Sequence, residues 1–189
     1  MSGNLAYQEE RREELMNGEI VAMSPATTNH NRIAFKIAVL FENHLKGKKC
    51  VPFGDGEYVF LSEKDHFVPD MMVVCDRDKI KRNGVYGVPD LVVEVLSHST
   101  VKNDRGYKKS VYERSGVPEY WIVDPFRKSI EVYLLKDNHY ILDNLCTLYP
   151  AEELEEMTDE EKATVVTEFK CHLYDDLIIR LDDIFGDLF

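Results

Sequence analysis

The sequence lacks any apolar run near the ~18 residues a membrane helix needs. Its opening stretch, MSGNLAYQEERREEL, also lacks the apolar centre of a signal peptide. Cysteine is scarce: Cys50, Cys75, Cys146 and Cys171 are all there is in 189 residues, and none forms a C-x-x-C pair. That spacing argues against a zinc ribbon and reads as reduced thiols in a cytoplasmic protein. Positive charge is in deficit, with 23 Lys and Arg against 35 Asp and Glu, a formal net charge of -12. A chain with that balance does not grip nucleic acid by bulk charge, although local fields can oppose the total. Seven prolines and ten glycines exclude collagen-like and low-complexity chains. No repeat of solenoid length is visible.

What is present is an ordinary globular balance, 44% hydrophobic and 31% charged. A chain this long buries about 70% of its unfolded surface and needs no staple to fold. We read residues 1–189 as one domain. Its core runs over about 15–145, and 150–189 form an acidic loop and a C-terminal packing segment. Residues 4–16 are charged and predict a helix, with Asn17-Gly18 as the turn after it. A short strand follows at 19–23. Ile33, Ile37, Leu40, Phe41 and Leu45 then fall at helical spacing, and Gly47 supplies the stop. Three related apolar runs come next: Val68-Pro-Asp-Met-Met-Val-Val74, Val88-Pro-Asp-Leu-Val-Val-Glu-Val95 and Val117-Pro-Glu-Tyr-Trp-Ile-Val123. Each predicts a central strand covered on both faces, with Pro at its first position. A helix is expected over 102–115 and a hairpin over 129–145 that turns at Asp137-Asn138. The segment 152–161, with seven acidic residues, reads as solvated, and 173–189 as amphipathic. The class is α/β or α+β, with a mixed central sheet flanked by helices.

Chemistry concentrates in a few residues. Glu94 interrupts the run Leu91-Val-Val-Glu-Val-Leu96. A carboxylate inside a central strand is costly unless it is paired, protonated or bound to a cation. Asp70 opens the neighbouring run. If the two strands are adjacent, about 4.7–4.9 Å apart, Asp70 and Glu94 can share one divalent ion. Asp90 lies four residues from Glu94, about 13 Å along a strand, and reads more simply as a strand-entry residue. Ligands that are all oxygen favour Mg²⁺ or Mn²⁺ over zinc and suit phosphodiester hydrolysis. Lys108 stands one helical turn from Asp104 and from Tyr112, either as a surface pair or as a charge reaching the same site. Gly106 beside it suggests a close backbone approach. Two basic clusters, Lys79, Lys81 and Arg82, and Lys102, Arg105, Lys108, Lys109 and Arg114, are candidate phosphate contacts or ordinary surface. Trp121 and Tyr120 read as core.

Pro69-Asp70, then Glu94 in an apolar strand, then a lysine, resembles the PD-(D/E)XK, restriction-endonuclease-like nucleases. Several further motifs narrow the likeness to the Uma-two family. They are Ser24-Pro25 with His30, the runs at 68–74 and 87–97, Ser99-Thr100, Asp104 with Lys108 and Tyr112, and Gly116-Val-Pro-Glu-Tyr-Trp-Ile-Val-Asp-Pro125. The match covers about 15–135. It implies a restriction-endonuclease-like sheet, metal ligation by Asp70 and Glu94, Mg²⁺ or Mn²⁺ as cofactor and DNA as substrate. Leu96 stands where E-x-K expects its lysine, so the resemblance passes that role to Lys108. Glu19 and His30 match recurring family positions and are auxiliary candidates with Asp90, Asp104 and Tyr112. Two other readings remain open: an inactive nuclease-fold binding module, and a metal-dependent hydrolase of small phosphate esters. A homodimer is expected if both strands of a duplex are cut, and no membrane partner is.

Overall fold

The computed structural model describes residues 12–189. They begin with a hairpin, β1 (Glu13–Met16) and β2 (Glu19–Ala22), with Met16 opposite Glu19. Asn17 and Gly18 turn it at φ 54° and 83°, the left-handed pair that a tight two-residue hairpin requires. The helix expected over 4–16 is therefore corrected: 13–16 are strand, and 4–11 lie outside the described residues. The turn chemistry of Asn-Gly, not the charged stretch before it, decides the local structure.

Helix α1 (Thr28–Leu45) starts where the Thr27 hydroxyl accepts from the His30 amide, and it buries Ile33, Ile37, Phe41 and Leu45 along one face. There follow β3 (Val51–Gly54), β4 (Val59–Phe60), β5 (His66–Phe67), β6 (Met71–Val74), β7 (Ile80–Lys81), β8 (Gly84–Tyr86) and β9 (Leu91–Val95). The predicted second helix is a composite. Helix α2 (Val101–Asn103) passes through a π-helical turn, Asp104–Lys108, into α3 (Lys109–Ser115), and Gly116 ends it at φ 90°. After β10 (Glu119–Asp124) comes the hairpin of β11 (Ser129–Lys136) and β12 (His139–Thr147). The chain closes with α4 (Ala151–Glu156), α5 (Asp159–Lys162), β13 (Glu168–Lys170), β14 (Ile178–Arg180) and α6 (Leu181–Phe185).

One mixed sheet, in the order β12-β11-β10-β9-β6-β3, forms the centre. Strand alternation sends Met71, Val73, Leu91, Val93, Trp121 and Val123 to one face, against α1 and the C-terminal α6. Met72, Val74, Val92, Tyr120 and Ile122 go to the other face, against α3 and a second sheet of order β2-β1-β5-β4-β8-β7. Burial on both faces explains the nearly continuous apolar runs. Pro69 and Pro89 stand two residues before their strands and Pro118 one, so the expected first-position prolines are shifted outward. The entry positions fall instead to acids. The Asp90 side chain accepts the Cys75 amide at 2.7 Å. Glu119 accepts the Trp121 indole at 2.8 Å and the Leu173 amide at 2.9 Å, tying the C-terminal segment to the sheet.

Two of the four cysteines depart from the expectation of reduced thiols: Cys50 and Cys75 form a disulfide. They flank the Val51–Val74 pair where β3 meets β6, so the ladder makes them neighbours. A separation of 25 residues gave no hint of that. Cys146 and Cys171 are free and buried. Gly106 is also corrected. A Cβ there would meet nothing within 4 Å, so no close approach demands glycine.

Candidate active site

The register of β6 with β9 sets Met71 opposite Val93. Continued by one residue, it sets Asp70 opposite Glu94. Both then point to the face that carries Met72 and Val92. They open into a cavity of about 900 Å³ between the central sheet, α1, α2 and the β1–β2 hairpin. Asp70 Oδ2 accepts the Val95 amide at 2.7 Å and lies 3.3 Å from His30 Nε2. Glu94 Oε1 accepts from Lys108 Nζ at 3.1 Å and from the Tyr112 hydroxyl at 2.8 Å. Among the described residues, no hydrogen bond falls on Asp70 Oδ1 or Glu94 Oε2.

Lys108 is the hub of the acidic wall. Its ammonium is 2.7 Å from Glu14 Oε1, 3.1 Å from Glu94 and 3.6 Å from Asp104 Oδ1. The lysine and all three carboxylates are buried. Glu14 also accepts the Val68 amide at 2.9 Å, which joins the hairpin to the strand entry bearing Asp70. Burial works against the Lys108 charge, but the three carboxylates outweigh it and hold the ammonium pKa above its ordinary value. Lys108 is therefore a fixed cation and a donor, not a base. Burial drives Glu94 well above the usual carboxylate range despite the pull of Lys108. Burial likewise raises Asp104 to about 6, and its Oδ1 lacks a hydrogen-bond partner. His30 has its pKa raised: burial alone lowers it, but Asp70 overcomes that.

The sign of the Asp104 effect is testable. A carboxyl with a raised folded pKa lends stability below its unfolded pKa of 3.8, and this is lost as pH climbs through about 6. Asp104→Asn carries no charge to bury. In a chelator, its melting temperature should gain several degrees on wild type between pH 4 and 7. A constant difference across that range would place the proton elsewhere.

Of the residues singled out in the sequence, Asp70, Glu94, Lys108, His30 and Asp104 line the cavity. Tyr112 stands behind Glu94. Asp90 is engaged at Cys75, and Glu19 is exposed on β2. Lys79 donates to the Val88 carbonyl at 2.8 Å. Arg105 pairs with Glu131 on β11 and lies 3.8 Å from Asp124. Lys109 stands 3.3 Å over the Tyr133 ring. Lys102 is exposed on α2, one residue before Asn103 of the cavity wall. Lys81 and Arg82 are exposed where β7 turns into β8 at the far edge of the second sheet. Glu14 was missed by the sequence reading. Its signal was the Asn-Gly hairpin, which makes 13–16 a strand whose alternate residues face inward. Among the described residues, no group of three or more His, Cys, Asp and Glu side chains is arranged as a ready-made metal cluster. No helix there is long and apolar enough to cross a membrane.

Comparison with known proteins agrees with this architecture. The chain is 33% identical over 138 residues to the uncharacterized protein slr1290 of Synechocystis sp., covering 71% of this chain and 73% of that one. It is 29% identical over 143 residues to the uncharacterized protein sll1609 of the same organism, covering 73% and 81%. The fold is shared with the crystal structure of a putative nuclease belonging to DUF820 from Anabaena variabilis, at a TM-score of 0.66 and 16% identity over 94% of this chain and 91% of that one. Residues 4–164 match the sequence model of Uma2, described as putative restriction endonuclease, and the chain belongs to that family.

Proposed function

We propose that the protein is an Mg²⁺- or Mn²⁺-dependent endonuclease that hydrolyses DNA phosphodiester bonds at the cavity of Asp70 and Glu94. One observation carries the reading: the charge around the cavity does not balance. Glu14, Asp70, Glu94 and Asp104 are buried around the cavity, opposed by Lys108 and, when protonated, His30, because Arg12 in the lining is neutralised by its pair with Asp55. Buried carboxylates in such excess take up protons or bind a cation. The donors fit a hard divalent ion. Asp70 and Glu94 come from paired strands, each uses one oxygen for the protein, and Mg²⁺ is usually held by one or two carboxylates plus water and phosphate. Such an ion lowers the pKa of a water and offsets charge on a transferring phosphoryl group.

The remaining roles belong to the chain itself. Lys108 fixes the Glu94 rotamer and keeps one positive charge at the wall. Tyr112 holds Glu94 from behind. Lys102, at the rim, is available to a phosphate. One cavity per chain cuts one strand, so cutting both calls for two copies.

The test is a melting curve read against Mn²⁺ and Mg²⁺, run with a plasmid-nicking assay. Ligand binding raises stability as RT ln(1 + [L]/Kd), so wild type should melt several degrees higher at an ion concentration 100-fold above Kd. Asp70→Asn should abolish both the shift and the nicking. If wild type shows neither shift nor nicking, the fold serves as a binding module. If small phosphate esters are cleaved with little salt dependence and DNA is not, the substrate is assigned wrongly.

A further inference from the structure

The second sheet turns Val59, Phe67 and Val85 fully inward. Its opposite face carries, among others, a row of apolar and aromatic side chains across five strands. The register runs from Ile20 on β2 to Leu15 on β1, His66 on β5, Phe60 on β4 and Tyr86 on β8. Four inter-strand steps make the row about 19 Å long. Its ends are open, Ile20 being 69% and Tyr86 48% exposed. The aromatic rings form a ladder. Phe60 and Tyr86 stack at 4.4 Å with 16° between planes, and Phe60 lies 5.1 Å from His66. Gly84 leaves room for this packing, since a Cβ there would come within 2.8 Å of the Phe60 ring.

Charge beside the row is mixed, with Glu13 exposed two residues before Leu15 and Glu63 exposed next to Lys64, but cations gather at the aromatic end. Lys81 pairs with Gly84 and so projects to the same face, and Arg82 follows it at the turn. Because β4 and β8 are parallel, that turn flanks one side of the row, and Lys64, two residues before His66, flanks the other. Among the described residues, none of the three forms an ion pair, whereas Arg12, Arg32, Lys36, Arg105 and Lys108 all do. The row ends at the β2 edge, whose other face meets the cavity: Val21, next after Ile20, points the opposite way and is part of the lining.

We infer that this face is a stacking platform for unpaired nucleotides of a nucleic-acid strand. Tyr58 packs on Phe60 and His66, so a base lies against Tyr86, the open aromatic end of the row, and Lys64, Lys81 and Arg82 meet the phosphates. Aromatic faces accept any base, and flanking cations track the backbone. The inference rests on the nuclease reading for its biological sense: it gives the substrate an unpaired stretch that leads over β2 to the carboxylates.

The experiment measures binding without cleavage, in a chelator at low salt. Fluorescence anisotropy compares an oligo-dT strand with an abasic strand of equal length and equal charge. Wild type should prefer oligo-dT. Tyr86→Ala should weaken oligo-dT about tenfold and leave the abasic strand within twofold. Tyr86→Trp should restore the preference, and Lys81→Ala with Arg82→Ala should weaken both strands alike and flatten the salt dependence. Equal binding of the two strands by wild type overturns the platform, as does undiminished oligo-dT binding by Tyr86→Ala when its circular dichroism is native. A fall in solution mass on Tyr86→Ala, with oligo-dT binding unchanged, makes the face a contact between copies. Base-dependent binding in a protein that never nicks DNA leaves the platform standing and removes the nuclease reading.

Discussion

Glu94→Gln should lower metal-dependent DNA cleavage on the order of 10³-fold, and in the absence of metal it should melt no lower than wild type. The two halves of this result have separate causes. Gln keeps the oxygen that accepts from Lys108 at 3.1 Å and from Tyr112 at 2.8 Å, so the local hydrogen bonds survive. What disappears is the negative charge, which an ion at this site needs and which the protein interior opposes. Burial holds the Glu94 carboxyl well above its ordinary range, and the neighbouring Asp104, Asp70 and Glu14 charges push the same way. A group with a raised folded pKa stabilises the fold while protonated and loses that contribution as pH rises through its folded pKa. Gln has no such loss, so its advantage in melting temperature should grow with pH in a chelator. Losing a charged ion ligand removes transition-state stabilisation of the size seen when one preorganised donor is deleted, or more. Activity and metal-free stability thus move in opposite directions. A carboxylate that merely neutralised Lys108 would leave activity intact and lower the melting point on substitution. That outcome would falsify the metal-ligand role.

Much of this architecture can be read from local chemistry. The three apolar runs with leading prolines became β6, β9 and β10 because burial on both faces leaves no alternation to obscure them. Glu94 stood out because a carboxylate inside such a run has few explanations. The acids after each proline show where sequence reading stops. Asp70, Asp90 and Glu119 occupy matching places in three similar segments. One faces the cavity, one caps the Cys75 amide and one clasps the C-terminal segment. Strand order separates them, and strand order is set by long-range pairing that no local pattern encodes. The Cys50–Cys75 bridge was hidden for the same reason, and although the Asn-Gly turn points Glu14 inward, only strand pairing brings it to Asp70 and Glu94. The acidic segment ending in Glu161 is exposed as expected, but it forms two short helices where a loop was expected, the second closed by a Thr158–Glu161 capping box.

Lys108→Met should be the most destabilising single substitution at the site, on the order of 3–5 kcal/mol at pH 8. For a chain of this length, that is a fall in melting temperature of roughly 10 °C or more. Methionine keeps an apolar stem of similar reach, so packing changes little, and what is lost is the ammonium, which stands 5.6 Å from the Phe67 ring centroid. The ammonium that Glu14, Glu94 and Asp104 share is lost, and three buried carboxylates are left facing one another. Three consequences separate this electrostatic cause from a packing defect. The loss should shrink as pH falls below 6, where protons replace the missing cation. It should shrink again in the double variant with Glu14→Gln, because that removes the carboxylate closest to the lysine. Mn²⁺ should stabilise Lys108→Met by more degrees than it stabilises wild type, since the ion then opposes a larger uncompensated charge. A Lys108→Met protein that melts like wild type at pH 8 carries the opposite lesson. Its carboxylates would already hold their protons with the lysine present, and the charge imbalance on which the metal assignment stands would not exist.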